Sequence, residues 1–159
     1  MRYSYMQLAV SDVGLLKKLL TVFGEAFREF DTYQSAVPSD AYLRTLLSRS
    51  HFIASVAMND EEQVVGGLVA YELEKFEQDR REIYLYDLAV LESHRRKGVA
   101  TQLIEELKRA AKERDAYVIF VQADKTDAAA IRLYESLGAK EDVYHFDIMV
   151  DPFSSNPRW

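Results

Sequence analysis

From Tyr3 to Val10 the chain reads as a first strand, and Leu15, Leu16, Leu19, Leu20, Phe23 and Phe27 then recur at helical spacing. Ser11 or Asp12 stands where such a helix needs a cap. Asp31 to Pro38 reads as a loop, and Ser39-Asp40 caps a shorter helix carrying Tyr42, Leu43, Leu46 and Leu47. Phe52 to Met58 and Val64 to Leu73 flank an Asn59-Asp60-Glu61-Glu62 turn, which predicts a hairpin with a longer loop. Ile83 to Val90 is a strong strand of aromatic and aliphatic residues. Gly98 to Arg114 is a helix with Leu103, Ile104, Leu107, Ala110 and Ala111 on one face. Tyr117 to Val121 is a short apolar strand of the kind found in the middle of a sheet. A helix from Asp127 to Leu137 closes at Gly138, Val143 to Ile148 makes a last strand, and Ser154 to Trp159 is a loose tail.

The order is β-α-α-β-β-β-α-β-α-β. An antiparallel hairpin inside a strand-helix alternation excludes a simple doubly wound sheet. The expected fold class is α+β (mixed α/β), with a single mixed central sheet and helices on both faces. With no internal repeat and no linker, one domain is expected over residues 1–151, followed by a tail at 152–159.

Composition narrows the chemistry. A chain of 159 residues that is 48% apolar can bury one core without staples. It has no cysteine, which removes disulfides, thiolate metal sites and a cysteine nucleophile. No metal is expected. Net charge is −6, from 26 acids against 20 bases, and the basic residues form no stripe beyond Arg95-Arg96-Lys97, so nucleic acid is not an expected partner. The N-terminus has no signal-peptide pattern and no apolar run approaches the roughly 18–20 residues of a membrane span, so the expected setting is cytoplasmic, without membrane association.

The stretch from Leu88 to Ile104 carries the most specific chemistry. The chain leaves a strand at Leu88-Ala89-Val90, turns through Leu91 to Arg96 and enters a helix near Gly98. A helix start exposes about four unpaired N–H groups and a partial positive charge, and so makes an anion site. Gly98 lets a ligand approach the backbone, Ala100 keeps the first turn slim, and Arg95, Arg96 and Lys97 add full charges. Together these parts suit a pyrophosphate.

Arg95-x-x-Gly98-x-Ala100 resembles the acetyl-CoA pyrophosphate motif of the GNAT superfamily, Gln/Arg-x-x-Gly-x-Gly/Ala. The run from Asp127 to Ala139 is similar to that family's Asn-x-x-Ala-x-x-Leu-Tyr-x-x-x-Gly-Phe helix, with Asp127 for Asn and Ala139 for Phe. The resemblance covers nearly the whole chain and implies the GNAT fold, acetyl-CoA as cosubstrate and direct attack by an amine. It implies that the main chain of Leu88, Ala89 and Val90 holds the pantetheine and thioester. The N–H groups of Arg96, Gly98, Val99 and Ala100 would hold the pyrophosphate, with the Arg95 side chain nearby. Tyr134 falls on the family's tyrosine that protonates the departing sulfur; packing beside Leu133 and Leu137 is the alternative.

Asp87 is the candidate base. In a regularly alternating strand it shares a side with Ile83, Leu85 and Ala89, where an apolar setting raises a carboxylate's pKa. A carboxylate bonded to backbone at a bulge is the competing account, and Asp124 is a rival base. His51 and His94 read as loop residues, and His145 as structural.

Longer runs resemble the aminoglycoside 3-N-acetyltransferases of the GNAT class: Phe76-Glu77-Gln78, Glu82-Ile83-Tyr84, Tyr86-Asp87-Leu88-Ala89-Val90, Val121-Gln122-Ala123-Asp124 and His145-Phe146-Asp147-Ile148 among them. The implied partner is a small-molecule polycationic amine, acetylated at the 3-amino group of 2-deoxystreptamine. Asp31, Glu77, Asp79, Asp124 and Asp147 are candidate carboxylates for it. Another small amine, a protein N-terminus, or a non-catalytic CoA-binding module are the alternatives, and a second copy of the chain is a candidate partner in a homodimer.

Overall fold

The protein was analysed as a computed structural model that describes residues 2–150. The chain divides into two compact units, Met1–Gln122 and Ala123–Trp159. The expected tail at 152–159 lies outside the described residues.

The first unit is built on one sheet, in the order β1-β2-β3-β4-β5. Its strands are β1 (Ser4–Gln7), β2 (Phe52–Met58), β3 (Val64–Glu74), β4 (Arg81–Val90) and β5 (Ala116–Val121). The first four run antiparallel to their neighbours and β5 joins β4 in parallel. The turn between β2 and β3 is organised by Asn59, whose Oδ1 accepts from the N–H of Glu61 at 3.0 Å and of Gln63 at 2.9 Å. Within the first unit β5 pairs with β4. Its apolar run is only partly covered, with Tyr117 and Val118 exposed.

The helices follow the predicted pattern closely. Helix α1 (Val13–Phe27) buries Leu16, Leu19, Val22 and Phe23, and Arg28 ends it in the left-handed region at φ 56°. Asp12 begins it without a side-chain cap, because its Oδ2 accepts from the N–H of Ala9 at 2.7 Å instead. The expected loop after α1 contains a short helix, α2 (Phe30–Gln34). In α3 (Asp40–Leu47) the Ser39 cap forms as predicted, accepting from the Tyr42 N–H at 3.2 Å. Helix α4 (Val99–Glu113) buries Val99, Leu103, Ile104, Leu107 and Ala111.

Strand alternation then sorts the core into layers. Phe52, Ala54 and Val56 of β2 join the cluster formed with α1 and α3. Ile53 and Ala57 point the other way and are equally buried, as are Leu68, Ile83 and Leu85, on the sheet over which α4 packs. Gly67 marks how close α1 lies to the sheet. A Cβ there would collide with the Ser55 carbonyl oxygen and stand 2.5 Å from Leu19 Cδ1.

In the second unit, α5 (Ala128–Glu135) is capped by Asp127, whose Oδ1 accepts from the Ala130 N–H at 3.0 Å. The expected strand from Val143 to Ile148 does not form among the described residues. Its apolar side chains, Val143, Tyr144, Phe146 and Ile148, are exposed.

Gly67→Ala is predicted to destabilise the protein by about 1–3 kcal/mol through overpacking. Urea unfolding measures this, and an unchanged midpoint would contradict the close seat of α1 on β3.

Candidate active site

Strand β4 stops behaving as an ordinary strand at Tyr86. Val69 opposes Asp87 and Ala70 opposes Leu85, so Tyr86 is an extra residue in the ladder. A β-bulge of this kind bends the strand and re-aims its side chains. Ala89, beyond it, joins the cluster beneath α1, whereas the buried Ile83 and Leu85 lie outside that cluster. The expected regular alternation therefore fails. The bulge changes the phase, and Asp87 shares a face with Ala89 but not with Ile83 and Leu85.

Pairing with β5 runs from Arg81–Ala116 to Leu85–Val121 and stops there. Within the first unit, the main chain of Leu88, Ala89 and Val90 thus pairs with β3 on one side and with no strand on the other among the described residues. Peptide groups on such an edge can meet an extended ligand with backbone hydrogen bonds.

The chain then passes through a short 3-10 turn, Glu92–His94, to the start of α4. Arg96 and Gly98 both adopt left-handed backbone, at φ 62° and 79°. Alternating conformations of this sort point successive N–H groups to one side. The N–H groups of Arg96, Lys97 and Gly98 find no acceptor among the described residues. Gly98 caps α4 without a side chain, so no side-chain cap bonds the N–H groups of Val99 and Ala100 at the positive end of the helix. A Cβ at Gly98 would meet no protein atom within 4 Å, so the glycine answers to its φ and to what approaches from outside. Arg95 donates from Nε to the Val90 carbonyl at 2.9 Å, and Lys97 from Nζ to the Ser93 carbonyl at 2.8 Å. Arg95 thereby ties the loop to the end of β4. Tyr3 adds a tie from the N-terminal side, its hydroxyl lying 3.0 Å from His94 Nδ1.

Asp87 is partly buried, and the hydroxyl of Tyr33 on α2 donates to its Oδ1 at 3.2 Å. Burial, then the charge of Asp87 and the hydrogen bond to it, push the Tyr33 phenol well above its ordinary value. Tyr33 therefore stays protonated and acts as the donor. Around this pair the sheet carries a run of rings: Phe52 meets Tyr71, Tyr71 meets Tyr86, Tyr86 meets Tyr84, and Tyr84 stacks on Phe120 at 4.7 Å. Burial, followed by Tyr86 and Asp87, raises the Tyr71 phenol as well.

The candidate substrate carboxylates are scattered through different settings. Asp31 is exposed on α2, and its carbonyl accepts from the Ser35 hydroxyl. Glu77 is held by Lys75 at 3.7 Å and Arg80 at 3.4 Å. Its own backbone N–H and these cations hold its carboxyl below the ordinary value. It is the most neutralised of the set. Asp79 is exposed two residues further on. Asp124 and Asp147 belong to the second unit, where the Asp124 carbonyl accepts from the Asp127 N–H at 2.9 Å and Asp147 Oδ1 lies 3.0 Å from His145 Nε2.

Residues 17–139 match the Acetyltransferase (GNAT) family. The chain belongs to that family. Among solved structures it is similar to an aminoglycoside acetyltransferase from an uncultured soil metagenomic sample, with 52% identity, 95% of this chain and 100% of that one covered, and a TM-score of 0.93. A second aminoglycoside acetyltransferase from such a sample, solved in complex with sisomicin, is 30% identical over 94% of this chain and 97% of its own, with a TM-score of 0.86. N-alpha-acetyltransferase 30 of Xenopus laevis is 33% identical over 81 residues, 51% of this chain. The chain spans only 29% of that relative's length.

In this GNAT protein Tyr134 is partly buried on α5, and its carbonyl accepts from the N–H groups of Leu137 and Gly138 at 3.0 and 2.9 Å. No helix of the described residues is long and apolar enough to cross a membrane. Tyr33 was not among the residues singled out from sequence. The available signal was a lone tyrosine three residues after Phe30, inside an otherwise polar stretch that reads as loop.

Gly98→Asp is predicted to leave folding within roughly 1 kcal/mol of wild type, since aspartate tolerates left-handed backbone and the new Cβ meets no protein atom. Binding of coenzyme A, followed by calorimetry, should fall at least about tenfold, since a carboxylate then faces the exposed N–H groups. Retained affinity would remove the anion-binding role from this helix start.

Proposed function

We propose that the protein transfers the acetyl group of acetyl-CoA directly to the 3-amino group of a 2-deoxystreptamine aminoglycoside of the gentamicin kind, and thereby confers resistance. The observation that carries this reading is the 52% identity to an aminoglycoside acetyltransferase over 95% of the chain. The 3-amino position comes from the longer sequence runs around Glu77, Asp87 and Asp147 that resemble the 3-N-acetyltransferases.

The residues present fit a pyrophosphate-bearing thioester. Orphaned N–H groups at Arg96 and Gly98, with those of Val99 and Ala100 at the helix start, would hold the pyrophosphate. The open edge of Leu88, Ala89 and Val90 would bond the pantetheine and orient the thioester carbonyl. Arg95 holds the turn that joins these two parts.

Acetyl-CoA supplies an activated acyl carbon, and the chain's own groups handle the protons. Asp87 takes the proton that the amine must lose to form an amide. Tyr134 gives its phenolic proton to the sulfur as the C–S bond breaks, which a group of pKa about 10 can do without being ionised first. Asp31, Asp79, Asp124 and Asp147 would hold the other ammonium groups of a polycation. Glu77 is the weakest candidate for that task, being paired already with Lys75 and Arg80.

A protein N-terminus is the second reading, favoured by the 33% identity over 81 residues to N-alpha-acetyltransferase 30. Thiol release from acetyl-CoA with gentamicin, spermidine and an N-terminal peptide as acceptors separates these. Rapid release with gentamicin, and mass shift located on its 3-amino group, is the expected result. Release with the peptide and none with gentamicin would overturn the aminoglycoside reading. Tyr134→Phe is predicted to slow transfer by roughly ten- to a thousandfold; near-normal turnover would return Tyr134 to packing.

A further inference from the structure

Helix α2 is five residues long, too short to hold itself in water. Its Tyr33 is held by rings. Phe23 and Phe27 of α1 stack at 5.6 Å, and the Tyr33 ring lies 5.8 Å from the first and 5.7 Å from the second. So fixed, the hydroxyl reaches across to β4 and donates to Asp87 Oδ1 at 3.2 Å. The bulge at Tyr86 puts Asp87 on the face where that contact is possible.

We infer that Tyr33 is a positioning residue for Asp87: it fixes one oxygen of the carboxylate and favours the ionised form that accepts a proton from the amine. This rests on the reading of Asp87 as the base. The ring contacts and the hydrogen bond join three elements, α1, α2 and β4, so the carboxylate is oriented from outside its own strand. The other titratable groups acting in this neighbourhood are Tyr86 on β4, Tyr71 on β3, Tyr42 on α3 and Glu29 ahead of α2. Glu29 is the further carboxylate among them. Its charge acts on the Tyr33 phenol and helps to keep it protonated as the donor.

The sign of the pH effect follows. A hydrogen bond to the charged form lowers a carboxylate's pKa, and its loss raises it. A base works only when ionised, so activity falls as pH drops through the Asp87 pKa, and that limb moves to higher pH when the donor is removed.

Tyr33→Phe keeps the ring packing and removes only the hydroxyl. Carbon-13 NMR of the Asp87 carboxyl, in wild type and Y33F, follows its titration directly. The expected result is a rise of roughly one pH unit in Y33F, with the acid limb of kcat/KM moving alongside and the KM for acetyl-CoA unchanged. A titration that does not move overturns the inference, whatever the activity. A loss of activity with both curves in place marks a merely structural role and overturns it too. Asp87→Asn separates the underlying reading: full activity in that variant would remove Asp87 as the base, even where the NMR titration responds to Tyr33.

Discussion

Within the first unit, β4 is paired on both sides only as far as Leu85 among the described residues, and the geometry of the candidate site depends on how that ladder ends. Up to Leu85 the strand is an interior member of the sheet, bonded to β3 and β5. Beyond it the register slips at Tyr86 and the β5 side has no strand partner among the described residues. Buried peptide groups need partners, so an edge left open inside a fold is a place for something other than the protein to bond. One extra residue re-aims Asp87 toward α2 and leads the strand into the turn at the start of α4.

The same economy of groups appears at that turn. Two left-handed residues, Arg96 and Gly98, bracket a set of N–H groups that no acceptor among the described residues satisfies. The neighbouring cations do not fill the space. Arg95 is committed to the Val90 carbonyl and Lys97 to the Ser93 carbonyl. Their charges and that of Arg96 add to the positive helix end in a chain whose net charge is −6. Under the proposed function, that arrangement would recognise an anionic cosubstrate locally while leaving the surface as a whole suited to a cationic acceptor.

Much of the architecture was legible in the sequence, because it follows from periodicity and local chemistry. The Ser39 cap, the hairpin around Asn59 and the buried faces of α1 and α4 stand where the residues predict them. The helix start at Gly98 stands where the sequence places it, with the glycine in left-handed backbone at φ 79°. What escaped depends on contacts between distant segments. Regular alternation and a bulge were both open readings of the strand at Asp87, and pairing with β3 places the bulge at Tyr86. Helix α2 forms in a polar stretch because Phe23 and Phe27 offer Tyr33 a surface. The segment at Val143 has the residues of a strand, but residue type cannot supply a neighbouring edge. Among the acidic candidates, Glu77 is paired with Lys75 and Arg80, contacts that depend on how the loop between β3 and β4 folds.

The central claim is that the open end of β4 and the exposed helix start form one binding surface for an acyl-CoA. Amide NMR of the protein titrated with coenzyme A, and separately with pantetheine, tests it most directly. With coenzyme A the resonances of Leu88 to Val90 and of Arg96 to Ala100 should shift together. With pantetheine, which lacks the pyrophosphate, the first group should shift and the second should stay in place. Shifts that leave both stretches untouched, or an Arg96 to Ala100 response that is the same for both ligands, would contradict it.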